Sequence, residues 1–113
     1  MEKGAKSMVK MELELSETAK RCIKDKLSQL QGAGGLLINF VEYKSCCGAH
    51  VKISNALVVD IKRYGTTVVP VAATEGVVAY VEKDSDFFET DYNTIRVDTG
   101  NSKDCDLFEV SFE

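Results

Sequence analysis

Two adjacent cysteines, Cys46 and Cys47, are the residues of this chain whose type and spacing most directly suggest chemistry. A cysteine attacks substrates and binds metals as its thiolate, a form that a nearby cationic side chain such as Lys44 would stabilise. Neighbouring side chains in a regular strand point to opposite faces, whereas a turn opened by Gly48 would aim both sulfurs at one ligand. The segment KSCCGAH therefore predicts a loop that carries a two-thiol site.

Other residues could join this site. Cys105 lies in the polar stretch 101–106 and could either approach the loop as a third thiolate or sit on the surface. His50 is a further candidate metal ligand, although a single histidine at the start of a strand is more often an ordinary exposed side chain. Cys22 falls on an apolar stripe, so we expect it to pack in the core rather than to take part in chemistry.

The two thiols could also act on each other. Consecutive Cα atoms are about 3.8 Å apart, whereas disulfides prefer roughly 4.4 to 6.8 Å, so a Cys46–Cys47 disulfide would be strained. Strained disulfides are the more oxidising ones, which suits a redox switch better than a structural link. The alternative without chemistry is that both cysteines are small, half-buried residues that pack at a turn.

A helix must precede the strand that leads to this loop. Ser16 can cap its first turn, and Glu17 complements the positive end of the helix dipole. Gly32 can adopt the positive φ of a helix stop, so we expect the helix to end near Gln31. The apolar residues that recur at helical spacing, and so face the core, are Leu15, Ala19, Cys22, Ile23, Leu27 and Leu30.

The rest of the chain has the pattern of strands. Residues 36–43 are short, apolar and bounded by turn residues, which indicates a buried strand that leads into the cysteine loop. Pro70 lacks a backbone donor and is expected on an edge strand or at an interruption. Further strands are predicted at residues 56–61, 67–71, 77–82, 94–98 and 107–112. The sequence therefore predicts an α+β fold.

The length of 113 residues suits a single hydrophobic core. We expect residues 1–10 to form a mobile leader and residues 11–113 a single domain. The net charge of −4 gives no reason to expect nucleic acid or a membrane surface as a partner. We see neither a membrane-spanning run nor a signal peptide, and expect a cytoplasmic protein whose four cysteines are reduced.

Three segments in order, ELELSETAKRCIKDKL, GLLINFVEYKSCCG and EGVVAYVEKDSDFFETDYNTIRVD, give a resemblance to a known family. The chain resembles the small HesB-like proteins of the CC/Se motif family and, more distantly, the A-type iron-sulphur carriers, from about Met11 to its end. The resemblance implies a HesB-like fold with one N-terminal helix packed on mixed, mainly antiparallel β structure. In the nearer family selenocysteine can replace one cysteine of the pair, which implies a reactive position at Cys46 and Cys47.

The more distant A-type carriers hold iron or an iron-sulphur cluster with a glycine-flanked cysteine and a Cys-x-Cys pair near the C-terminus. Cys46 matches the loop cysteine and Gly48 the glycine, but the tail here has only Cys105. We therefore expect iron or iron-sulphur handling through Cys46 and Cys47, with Cys105 as a third ligand.

A homodimer sharing two cysteines per chain would supply the four thiolates that a cluster usually needs. Iron-sulphur assembly proteins would be the partners in this case. The alternative is a vicinal-dithiol redox protein, with thiol-redox partner proteins, in which one of Cys46 and Cys47 attacks an oxidised substrate and the other resolves the product. A non-catalytic interaction module is the third interpretation, and the chain is more readily interpreted as a binding protein than as an enzyme.

Overall fold

The computed structural model of the protein describes residues 11–44, 46–85, 87, 92–99, 105 and 107–113; for residues 42–44 and 50–53 it describes the backbone. The leader predicted for residues 1–10 lies outside the described residues. One helix, α1, spans Glu17–Gln29. The strands are β1 Glu12–Leu15, β2 Gly34–Lys44, β3 His50–Asp60, β4 Val68–Thr74, β5 Val77–Glu82, β6 Thr94–Asp98 and β7 Phe108–Phe112.

Helix α1 begins where the sequence predicts. The Ser16 hydroxyl accepts a hydrogen bond from the Ala19 amide at 3.2 Å and donates one to the Asp98 carboxylate at 2.8 Å. This cap satisfies one of the amides that the first helical turn leaves unpaired and also joins the helix to the end of β6. At the other end Gln31 and Gly32 both have positive φ, so the chain reverses there into β2.

The seven strands form one mixed sheet in the order β1-β6-β7-β3-β2-β5-β4. The β1–β6 and β2–β5 pairs are parallel, and the other four neighbouring pairs are antiparallel. This confirms an α+β fold in which the β structure is mixed and mainly antiparallel.

The two edges of the sheet approach each other, which gives it a barrel-like form. Met11 forms a parallel bridge with Ala72 of β4, and its amide donates to the Val71 carbonyl at 3.3 Å. The ladder between β4 and β5 shifts register between Pro70 and Ala72. The prediction that Pro70 lies on an edge strand or at an interruption is therefore confirmed, since β4 is last in the strand order and its ladder is interrupted next to Pro70.

The core lies between α1 and the inner face of the sheet. Ala19 and Ile23 of the helix are fully buried in the same hydrophobic cluster as Leu36 of β2 and Phe108 of β7. Gly35 lies on the opposite side of β2, where a Cβ atom would collide with Ile61 and Tyr80, so a residue without a side chain is required there. Within the described residues, no helix is long and apolar enough to cross a membrane.

The strand predictions for residues 77–82 and 94–98 are confirmed at both ends. The prediction for 56–61 is wrong in its extent, because β3 already begins at His50 and pairs with β2 along its whole length. Strand β1 was not predicted. Its alternation of Glu12, Leu13, Glu14 and Leu15 is typical of a strand, and Leu13 is the buried member.

Candidate thiol site

The cysteine pair lies at the tip of a long hairpin. Strands β2 and β3 pair continuously from Gly34 with Asp60 to Lys44 with His50. Strand β5 pairs with β2 only at Leu36 and Leu37, and β7 pairs with β3 only at Asn55 and Ala56. Residues 41–44 and 50–53 therefore form a two-stranded extension, here called the ribbon arm, that pairs with no other described strand. The loop that joins its strands carries Cys46 and Cys47.

Both thiols face solvent, and they lie side by side. Cys46 and Cys47 are exposed, unbonded cysteines whose Sγ atoms are 3.9 Å apart. Gly48, the next residue, has a φ of 86° and no atom near the position of a missing Cβ. Because glycine adopts this left-handed conformation at little cost, the chain can reverse immediately after the two cysteines. The predicted emergence of both sulfurs at one surface is thus observed, and packing does not account for these exposed side chains.

Cys105 does not join this pair. It forms a disulfide with Cys22 of α1, and the two Cα atoms are 5.6 Å apart. The prediction that all four cysteines are reduced is therefore wrong for these two. While this bond is formed Cys105 is not available as the expected third ligand, because a sulfur in a disulfide is no thiolate. Cys22 does pack beside the core, as predicted, but it is also bonded.

The fold also keeps Cys105 away from the ribbon arm. Phe108, three residues after Cys105, pairs with Ala56 of β3. His50, at the base of the cysteine loop, comes six residues before Ala56 in β3. At ~3.4 Å per residue, the two residues are about 20 Å apart. Cys105 is bonded to Cys22 of α1 and therefore lies near Ala56, at the opposite end of this stretch of β3 from the cysteine loop.

The remaining candidate, His50, has its backbone paired with Lys44 at the base of the loop. Its side chain lies outside the described part of the structure, so its proposed ligand role stays a prediction. Among the described residues, no three His, Cys, Asp or Glu side chains are grouped as a metal site would require. The site built by this part of the chain consists of two sulfurs.

An aromatic cluster supports the ribbon arm at its base. The Phe40 ring packs edge to face against Phe87, Tyr92 and Phe112, with centroid distances of 6.1, 6.5 and 5.2 Å. Phe40 and Phe87 are buried. Since the ribbon arm starts at Val41, these contacts fix the strand that carries it. No local sequence pattern predicts this cluster, because the sheet brings its members together from distant parts of the chain.

A separate cavity of about 420 Å³ lies over β1, β6 and β7, and is lined by residues that include Glu14, Arg96 and Glu109. The guanidinium of Arg96 already forms two salt bridges. Its Nε lies 2.8 Å from the Glu14 carboxylate, and its Nη1 lies 2.6 Å from the Glu113 carboxylate. We therefore take the ribbon arm, with its free thiols, as the better candidate for a functional site.

Comparison of the chain with protein-family models, with curated proteins and with solved structures finds no match. The fold and the site define an α+β protein with a barrel-like mixed sheet and an exposed pair of adjacent thiols at the tip of a hairpin. Such a pair can bind one soft metal ion through both sulfurs, or exchange two electrons as a dithiol.

Proposed function

We propose that this protein handles iron or an iron-sulphur cluster through Cys46 and Cys47. The observation that carries the proposal is the 3.9 Å separation of two solvent-facing sulfurs. Two thiolates that each lie about 2.3 Å from a tetrahedral metal ion stand roughly 3.8 Å apart, taking the zinc–sulfur bond length as the guide. The two side chains therefore already have the separation that chelation of one metal ion requires.

A second copy of the chain would complete the ligand set. Iron-sulphur clusters are usually held by four cysteine thiolates, and each chain offers two at the tip of the ribbon arm. Because the arm pairs with no other described strand, no strand pairing has to be broken for the tips of two copies to meet about a two-fold axis. A homodimer is therefore part of the proposal, and it replaces the ligand role expected of Cys105.

The resemblance to HesB-like proteins of the CC/Se motif family fits this proposal. A HesB-like fold with one N-terminal helix and mainly antiparallel strands is compatible with the observed α+β architecture. The resemblance also leads us to propose iron-sulphur assembly proteins as partners and the cytoplasm as the location. The chain differs from the A-type carriers near its C-terminus, where Cys105 stands in place of a Cys-x-Cys pair and is bonded to Cys22. Cluster binding here would accordingly depend on the loop pair alone.

The test is anaerobic reconstitution with ferrous iron and sulphide, followed by iron and sulphide analysis and by the mass of the complex in solution. We expect close to one iron per chain and a dimer that forms with the cluster. Cys46→Ser and Cys47→Ser should each remove most of the iron. The matched control is the double variant Cys22→Ser/Cys105→Ser, which should keep it. Iron retained when both loop cysteines are replaced would contradict the proposal.

A vicinal-dithiol redox function is the second candidate, and the exposure of both thiols favours it. In this reaction one thiolate, of Cys46 or Cys47, attacks the sulfur of a substrate sulfenic acid, R–SOH, and water leaves. The other thiol then displaces RSH and closes the Cys46–Cys47 disulfide, so two electrons pass from the protein to the substrate. A sulfenic acid is a stronger oxidant than most disulfides, which suits the formation of a strained ring.

Mass spectrometry after graded, mild oxidation tests this candidate. A mass loss of two hydrogen atoms, confined to the peptide that contains Cys46 and Cys47, is the expected result. Its absence at every level of oxidation would remove the redox mechanism and leave metal binding untouched.

A further inference from the structure

We propose that the disulfide between Cys22 and Cys105, here called the helix–tail disulfide, is a second redox site of this protein. A small dithiol opens it, an oxidising low-molecular-weight disulfide closes it, and its state controls how firmly Cys105 and the start of β7 are held on α1. The proposal is independent of metal binding at Cys46 and Cys47.

The position of the helix–tail disulfide permits this chemistry. Cys22 and Cys105 are both half-buried and lie at the margin of the hydrophobic core rather than within it. Access to the attacked sulfur is one of the factors that set the rate of thiol–disulfide exchange. A reductant of small size can reach a half-buried bond, whereas the deep core around Ile23 and Phe108 is closed to it.

The bond joins α1 to a residue whose backbone has an uncommon conformation. Cys105 has a φ of 59°, in the left-handed region that residues with a Cβ adopt only rarely. Between it and the buried Phe108, Leu107 is 50% exposed. The covalent link to α1 therefore fixes a residue whose own conformational preference lies elsewhere. Once the link is opened, Cys105 is free to leave this conformation, and the start of β7 loses its tie to the helix.

The reaction balances as an ordinary exchange. A thiolate of the dithiol attacks one sulfur of the helix–tail disulfide, and the other sulfur leaves as a thiolate that takes up a proton. The second thiol of the reductant then resolves the mixed disulfide. Two electrons and two protons pass from the reductant to Cys22 and Cys105, and the reductant leaves as a disulfide. The loop pair cannot act as this reductant within the same chain, because about 20 Å of β3 separates the two sites.

Peptide mapping and hydrogen exchange together test the proposal. The protein is purified without reductant, its free thiols are alkylated, and the digest is expected to contain alkylated Cys46 and Cys47 and a linked Cys22–Cys105 peptide pair. Graded dithiothreitol should then add two hydrogen atoms to that pair and speed amide exchange at Leu107 and Phe108 at least tenfold, with little change in β2. Alkylation of Cys22 and Cys105 before reduction, or exchange that reduction leaves unchanged, would overturn the proposal.

Two variants separate this site from the loop. Cys22→Ser/Cys105→Ser should show the faster exchange without dithiothreitol and no further response to it. Cys46→Ser/Cys47→Ser should respond to dithiothreitol as the wild-type protein does, whatever the outcome of the iron experiment. If Cys46→Ser/Cys47→Ser no longer responded to dithiothreitol, the response of the wild-type protein would depend on the loop cysteines and not on the helix–tail disulfide. That result would overturn the proposal.

Discussion

The Phe40 ring of β2 packs edge to face against Phe112 of β7, with centroids 5.2 Å apart and ring planes at 89°. The two strands are not neighbours in the sheet, since β3 lies between them. The contact therefore ties β2 to β7 across the face of β3, immediately before the ribbon arm begins at Val41. Edge-to-face pairs of this kind add to the stability that burial of the rings provides.

Replacing Phe40 with alanine should lower the free energy of unfolding by about 3 kcal/mol, because it removes a buried ring and leaves a cavity among three other aromatic side chains. Urea unfolding would measure this change. Val41→Ala is the matched control, since Val41 is 47% exposed and its truncation should cost less than about 1 kcal/mol. Equal losses for the two variants would contradict the role given to the aromatic cluster.

Ser16→Ala should cost about 1 kcal/mol of stability, because the variant loses the helix cap to the Ala19 amide and the bond to Asp98. Arg21 is exposed on the same helix, and alanine and arginine have similar helix propensities. Arg21→Ala should therefore change stability by less than about 0.5 kcal/mol. Thermal unfolding of both variants would measure the difference. A Ser16 variant as stable as the Arg21 variant would show that the cap is unimportant.

Removal of the helix–tail disulfide by Cys22→Ser/Cys105→Ser should destabilise the protein by about 3 kcal/mol and lower Tm by roughly 10 °C or more. In the chain-entropy account, the bond closes a loop with a sequence separation of 83 residues and so restricts the unfolded chain. Calorimetry without reductant is the measurement. Cys46→Ser/Cys47→Ser, in which only exposed thiols change, should shift Tm by no more than a few degrees.

Gly48→Ala should destabilise the hairpin by about 1 kcal/mol, because alanine is strained at a φ of 86° although no atom blocks its methyl group. Gly48→Asn should cost less, since asparagine enters the left-handed region more readily. Zinc affinity of the two variants should follow the same order, because the turn sets the orientation of both sulfurs. An alanine variant that binds zinc better than the asparagine variant would contradict this role of Gly48.

The sequence predicted those parts of the fold that local patterns determine. The cap at Ser16, the stop at Gly32 and the strands at 77–82 and 94–98 all follow from neighbouring residues. The exposed cysteine loop was also predicted, because a turn between two strands places adjacent side chains at one surface. These signals operate over a few residues, which is the range of helix caps and turns.

Contacts between distant parts of the chain could not be predicted in this way. Cys22 lies on an apolar helical stripe, and nothing in its local pattern distinguishes a packed thiol from one bonded to Cys105, 83 residues away. The one available signal was that these two cysteines remain as a pair once the loop pair is set aside. Strand β1 was missed for a related reason: its four residues alternate as a strand should, but their partner is the distant β6.

The most direct test of the central claim is X-ray absorption spectroscopy of the protein with the helix–tail disulfide intact and the loop thiols free, loaded anaerobically with zinc as a probe. If Cys46 and Cys47 chelate one metal ion, the spectrum should contain a shell of at least two sulfur atoms at about 2.3 Å. That shell should be absent from Cys46→Ser/Cys47→Ser and present in Cys22→Ser/Cys105→Ser. A zinc ion bound only by oxygen and nitrogen in the wild-type protein, or a sulfur shell that survives in the loop variant, would contradict the claim.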